Sequence, residues 1–397
     1  MSPINIRHIP LPKLRRWSLI VGGVWVIICI FCWIFASHQF YRSYLFAWIF
    51  WLSVSLGSMA MVMMHHLTGG NWGIVTRRFG EHAALCVALL FPLFIPIAIG
   101  VPSLYEWAQP DKVRADPLLQ HKQPYLNYGF FVGRAALYLA IWTWMAWYLR
   151  RGSLRYDRTS DAKTAHRTYS VSGVGELVLV LSMTTAAIDW IMSRDPHWFS
   201  TVFGLMIACA QAISGVCFLI IMLALMREEE PFRGIVDRDH FNDMGNILLT
   251  FVVTWTYMAF AQLLVIWMGN KQDEITWYVA RLANGWWWIG LGLLGLHFFV
   301  PFVVLLMREA KRTPELMLWF AAALLVMRAV DVFWLIAPSG TASPTPLLHH
   351  VLSWMDFVFP VGMGGLWFAF FLWLMEGYPL IIEGEFVSNP EVRDAER

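Results

Sequence analysis

Apolar residues run along almost the whole chain in ten long stretches, broken by short polar segments, at approximately 17–35, 44–66, 82–104, 127–149, 172–192, 199–226, 241–268, 283–307, 315–337 and 350–375. A helix needs roughly 20 apolar residues to cross about 30 Å of hydrocarbon, so each stretch predicts a transmembrane helix. The expectation is an all-α integral membrane protein with ten transmembrane helices. It forms one polytopic domain over 1–397, with an N-terminal segment at 1–16, a membrane region at 17–375 and a tail at 376–397. Only the Arg- and Ser-rich 150–171 loop and the acidic tail after Glu376 read as freely solvated.

Composition agrees with this pattern. Hydrophobic residues make up 58% of the 397, charged residues only 14%, and mean hydropathy is +0.55, which excludes an ordinary soluble fold. The net charge of +2 gives no pointer to nucleic acid, but the placement of the cations predicts an orientation. Most of the 29 Lys and Arg fall at the N-terminus, in the loops after helices two, four, six and eight, and in the tail, so the positive-inside rule makes both termini cytoplasmic. The "KLRRW" before the first run has the charge of a signal peptide but no small-residue cleavage site after it, and reads as the start of a retained helix. The five cysteines, Cys29, Cys32, Cys86, Cys209 and Cys217, fall inside predicted helices and read as small packing residues. Neither an iron–sulfur motif nor a Cys-x-x-Cys-His haem motif is present in the sequence, so no cofactor is expected to be bound by this chain, and no metal.

The informative residues are the ionisable ones at bilayer depth, which are costly and usually face a bundle interior. Counting about 1.5 Å per residue along each helix sorts them into two sets. Arg134, Asp189, Arg328, Asp331 and Asp356 fall in the outer half, while His65, His66, Glu176, Asp243 and His297 fall in the inner half. Arg328 and Asp331, three apart, share one face of helix nine and can neutralise each other. Carboxylates and imidazoles at successive depths suit a proton relay, because burial and neighbouring charge move their pKa values. The plainer reading is a structural ion pair, with His65 and His66 as interfacial anchors. Asp195 followed by Pro196 reads as a helix N-cap and first helical residue, and Trp190, Trp198 and Trp286–Trp288 as an aromatic belt.

Helices two to five and six to nine have the same starting direction, which permits two four-helix bundles flanked by helices one and ten. The stretches "MVMMHHLTGGNWG", "FFVGRAALY", "AAIDWIMSRDPHWFST" and "LLVMRAVDVFWL" together resemble the F subunits (ActF) of bacterial alternative complex III, and more widely the NrfD or polysulfide-reductase-type membrane subunits. The resemblance implies the double four-helix bundle and a place in a quinol:cytochrome c, or quinol:acceptor, oxidoreductase of the respiratory chain. Implied partners are an ActC-like NrfD-type subunit, a periplasmic iron–sulfur subunit, multihaem and monohaem c-type cytochrome subunits and, in some complexes, a terminal oxidase, with lipids around them. It also implies proton translocation through buried charges, with Arg134, Asp189, Arg328, Asp331, Asp356 and His65 at matching motif positions. A menaquinone or other quinone contact on this chain is left open. Two rivals remain at this level, a structural anchor without a proton path and an ion-coupled secondary transporter. The transporter pattern of helices broken at corresponding positions is poorly met, because Pro92 and Pro96 interrupt helix three while Pro301 interrupts helix eight.

Overall fold

A computed structural model describes residues 11–35, 37–159, 162–340 and 346–381. Among these the secondary structure is helical with no strand, as expected where the bilayer offers backbone groups no hydrogen-bond partner. Nine of the described helices are long and apolar enough to cross a membrane, or ten if one bent pair counts as a single span. The chain is a multi-pass helical membrane protein.

In chain order the ten are α1 Leu11–Phe35, α2 Ser37–Thr68, α3 beginning at Asn71–Leu85, α4 Tyr128–Thr159, α5 Ala162–Trp190, α6 Phe203–Met226, α7 Arg238–Gly269, α8 Trp286–Leu306, α9 Pro314–Ile336 and α10 Met355–Met375. Arg15 near the start of α1 pairs with Glu376 just after α10, so the chain enters and leaves on one side, called here the terminus side, the other being the far side.

The centre of the molecule is α2, buried along its whole apolar window and packed against α3, α5, α6 and α10. Its crossing with α6 is backbone on backbone. A Cβ on Gly57 would stand 1.8 Å from the Gln211 carbonyl oxygen, and one on Gly215 would stand 2.2 Å from the Gly57 carbonyl carbon, so both positions require glycine. Beyond this core, α1 lies along α10, α4 along α5, and α6 contacts α7 and α9. The outward faces of α1, α4, α7 and α8 carry exposed Ile, Leu, Phe and Trp, the surface expected next to lipid.

Three helices depart from regularity, each at a proline. In α3 the segments Asn71–Leu90 and Pro92–Ile99 meet at 47°. The carbonyls around that break are taken up by α2, where Trp48 Nε1 donates to Leu90 at 2.9 Å and the Tyr44 hydroxyl to Leu93 at 2.9 Å. In α8 a π-helical turn, Leu293–Phe299, precedes Pro301, whose ring cannot coexist with a regular hydrogen bond to the carbonyl of His297. In α10 Pro360 lies inside the helix, and its carbonyl accepts Trp51 Nε1 at 2.7 Å.

Five expectations change. Helix three starts at Asn71 rather than 82, right after the left-handed turn at Gly69 and Gly70, so Arg77 and Arg78 are buried and not loop cations. The 150–171 segment is helical up to Thr159 and again from Ala162, with Ser153, Thr168 and Ser172 buried. Asp195 caps nothing, since α6 begins only at Phe203 after Val202. Of the belt tryptophans, Trp190, Trp198 and Trp286 turn inwards, leaving Trp287 and Trp288 exposed and stacked at 3.8 Å. The tail begins buried, at Leu380 and Ile381, and its remainder, 382–397, lies outside the described residues, as does 1–10.

Candidate functional site

On α9, Arg328 and Asp331 are 1% and 2% exposed and form an ion pair on one helix face. The helical spacing alone brings them together, because residues three apart are neighbours. Arg328 also reaches Ser214 of α6 with Nε at 3.4 Å. Asp331 lines a chamber of about 960 Å³ between α7, α8 and α9 whose walls are otherwise largely aromatic and aliphatic. Asp331 thus stands at the edge of the chamber, buried and paired with the guanidinium.

His297 stands in the π-helical turn of α8, fully buried, its ring 4.2 Å from that of Trp255 on α7. Neither ring nitrogen has a hydrogen-bond partner among the described residues. A neutral imidazole has one lone-pair nitrogen and one N–H, so it can accept a proton on one side and release one from the other once hydrogen-bonded neighbours are in place. Its π turn is the kind of local irregularity often kept at functional sites.

The other far-side charges are organised differently. Arg134 of α4 grips Asp189 of α5 with two parallel hydrogen bonds, Nε to Oδ2 and Nη2 to Oδ1, both 2.8 Å. The Tyr138 hydroxyl donates to Asp189 Oδ2 at 3.2 Å, and Arg134 Nη1 donates to the Tyr125 carbonyl at 3.0 Å. The Tyr125 and Phe130 rings lie over the guanidinium at 3.9 and 4.2 Å. Asp356 of α10 sits near Arg42 of α2 at 3.3 Å and accepts hydrogen bonds from Ser43 and from the Ser353 N–H. Among the described residues no hydrogen bond or ion pair joins these pairs to each other or to the α9 pair. The five far-side residues thus form three separate neutral pairs rather than one cluster. Arg42 was not singled out in the sequence because it lies before the apolar run of α2, where cations are ordinary.

On the terminus side the structure brings together more charge than the sequence suggested. His66 Nδ1 is 2.7 Å from Ser172 Oγ of α5, and its Nε2 is buried without a partner. His65 packs its ring on Trp72 and lies 3.1 Å from the Gly70 carbonyl oxygen. Next to them α3 contributes a buried triad, with Glu81 between Arg77 at 3.0 Å and Arg78 at 2.8 Å, and Arg77 donating to Ser153 of α4 at 3.2 Å. His82, one residue on, is fully buried with both ring nitrogens unpartnered. The signal that could have found this group is the unbroken run from Asn71 to Leu85, which contains no proline after the glycine turn. Glu176 is half-buried with Oε2 unpartnered, and Asp243 is half-buried near the start of α7. Close by, Lys311 donates to Asn246.

Among the described residues no group of three or more His, Cys, Asp or Glu is placed to hold a metal ion. Comparisons with protein-family models and with curated proteins found nothing that matches this chain.

Proposed function

We propose that the chain is the ActF-type membrane subunit of an alternative-complex-III-like quinol:cytochrome c, or quinol:acceptor, oxidoreductase, and that it carries protons through α7–α9 when quinol is oxidised by its partners. The observation that carries the proton reading is the α9 ion pair at the edge of a chamber, with the buried imidazole of His297, unpartnered among the described residues, on the π-helical turn of α8 that packs against α9. In this reading Asp331, paired with Arg328, exchanges protons with the far side, and His297 passes protons towards the terminus side. The other buried acids and imidazoles, Glu176, Asp243, His65 and His66, would extend the route there. The chain would supply no redox centre. Electrons would pass through a periplasmic iron–sulfur subunit and the multihaem and monohaem c-type cytochromes, docked beside an ActC-like NrfD-type subunit.

The packing supports a finer architecture of two four-helix bundles, α2–α5 and α6–α9, with α1 and α10 paired outside them. The distribution of Lys and Arg supports an orientation with the terminus side in the cytoplasm, and the resemblance to ActF adds a bacterial cytoplasmic membrane to the proposal. A second reading, an anchor with no proton path, draws on Arg134–Asp189, which ties α4 to α5 through two charge-assisted hydrogen bonds.

Purification of the full chain from its native membranes in mild detergent tests the assignment. Co-purification with c-type haem absorbance is expected. Recovery of the chain alone, free of haem-containing partners, would overturn it.

A further inference from the structure

Two buried arginines on the far side have no place in the proton reading. Arg194 follows α5 and is 3% exposed; Arg281 lies on the short helix Gln272–Leu282 and is 1% exposed. Both stand in the wall of a polar cleft of about 270 Å³. Arg194 donates only to backbone carbonyls, those of Leu104 at 3.2 Å and Ser339 at 2.6 Å, and has no carboxylate at ion-pair distance among the described residues. Arg281 donates to the Leu335 carbonyl and the Ser339 hydroxyl, and meets Asp195 only at 3.4 Å. The Nε–H of each arginine is buried without a hydrogen-bond acceptor. Of the carboxylates at the cleft, Glu106 is already held by Lys112 at 2.7 Å, so Asp195 alone faces two guanidiniums. Two guanidiniums against one remaining carboxylate leave the wall of the cleft with an excess of positive charge, which suits an oxyanion.

The cleft is not isolated. The Trp277 indole lines it and also lines the 960 Å³ chamber. Arg281 lies over the Trp277 ring at 3.7 Å and Trp198 stacks on the same indole at 4.5 Å, which fixes that shared wall. The chamber lining is apolar, and several of its residues, Tyr257, Leu291 and Phe299, are about half or more exposed at the molecular surface, so it opens sideways where acyl chains would lie. We infer that cleft and chamber together form a binding site for one anionic phospholipid, with the headgroup phosphate on Arg194 and Arg281 and the acyl chains in the chamber between α7 and α8. Guanidiniums form bidentate hydrogen bonds with phosphate, and the chamber is at the upper end of small-ligand cavity sizes. A neutral amphiphile would use the chamber but leave the excess charge unmatched. A free phosphate would satisfy the arginines but leave the chamber unused.

The full-length protein in detergent, titrated by native mass spectrometry with dioleoylphosphatidylglycerol, dioleoylphosphatidylcholine or inorganic phosphate, separates these occupants. Substituting either arginine would also remove its grip on the carbonyls, so the variants leave both in place. Thr276→Glu puts a carboxylate on the exposed rim of the cleft, and Gly290→Phe fills the chamber from a position whose added Cβ meets nothing closer than 4.0 Å. Expected are at least ten-fold tighter binding of phosphatidylglycerol than of phosphatidylcholine, loss of that preference in Thr276→Glu, and at least ten-fold weaker phosphatidylglycerol binding in Gly290→Phe. Equal affinity for the two lipids, or phosphatidylglycerol binding untouched by either variant, would overturn the inference. So would a site that inorganic phosphate fills as tightly as phosphatidylglycerol in both the wild type and Gly290→Phe.

Discussion

Arg134–Asp189 and Arg328–Asp331 are the same chemical pair, both buried and both on the far side, yet they are built for different work. The first joins two helices in a bidentate grip, receives a third hydrogen bond from Tyr138 and is roofed by two aromatic rings. Three Arg134 nitrogens and both Asp189 oxygens are engaged, so the pair is fixed in place between the two helices. The second lies within one helix, adds no tie between α9 and its neighbours beyond a 3.4 Å contact to Ser214, and faces a chamber on one side. A buried pair that holds no helices together contributes little to stability, since desolvation offsets its attraction. What separates the two pairs is not burial but whether they tie one helix to another.

That contrast can be broken in a graded way. The largest effect is expected for Asp189→Leu, which strands a buried guanidinium and removes the α4–α5 tie. Loss of about 3–5 kcal/mol should appear as a lowered unfolding midpoint in detergent. The double variant Arg328→Gln with Asp331→Asn removes both charges together and should unfold within about 2 kcal/mol of wild type. If it proves as damaging as Asp189→Leu, the α9 pair is a strap too. His297→Phe keeps ring volume and deletes two unmet buried nitrogens, so stability should change by less than about 1.5 kcal/mol, and by thermal unfolding the sign should favour the variant. The smallest effect is expected for Tyr138→Phe, about 0.5–1.5 kcal/mol for one hydroxyl donated to a carboxylate that keeps its two arginine bonds.

Much of this was legible in the sequence because a membrane imposes long apolar runs, and all ten runs correspond to described helices. Arg328 with Asp331 could be paired from spacing alone, since the helix itself sets their distance. Arg134 with Asp189, and Asp356 with Arg42, could not, because partners on different helices depend on how those helices are rotated. Depth counting placed Arg134, Asp189 and Asp356 beside the α9 pair, but depth carries no azimuth, and the residues separate into different interfaces. The start of α3 was missed because Arg77, Arg78 and Glu81 look like loop residues until their mutual neutralisation is seen. Asp195 next to Pro196 has the sequence of a helix start, yet its carboxylate accepts from the Ser339 hydroxyl at 2.6 Å, a tie to the end of α9 that local pattern cannot reveal.

The most direct test of the proton reading is proton release on the far side during quinol oxidation by the assembled complex in proteoliposomes, comparing wild type with the Arg328→Gln, Asp331→Asn variant. The account predicts an assembled complex whose coupled proton release falls at least ten-fold. Release and quinol oxidation both at the wild-type level would contradict it, and would leave the chain an anchor.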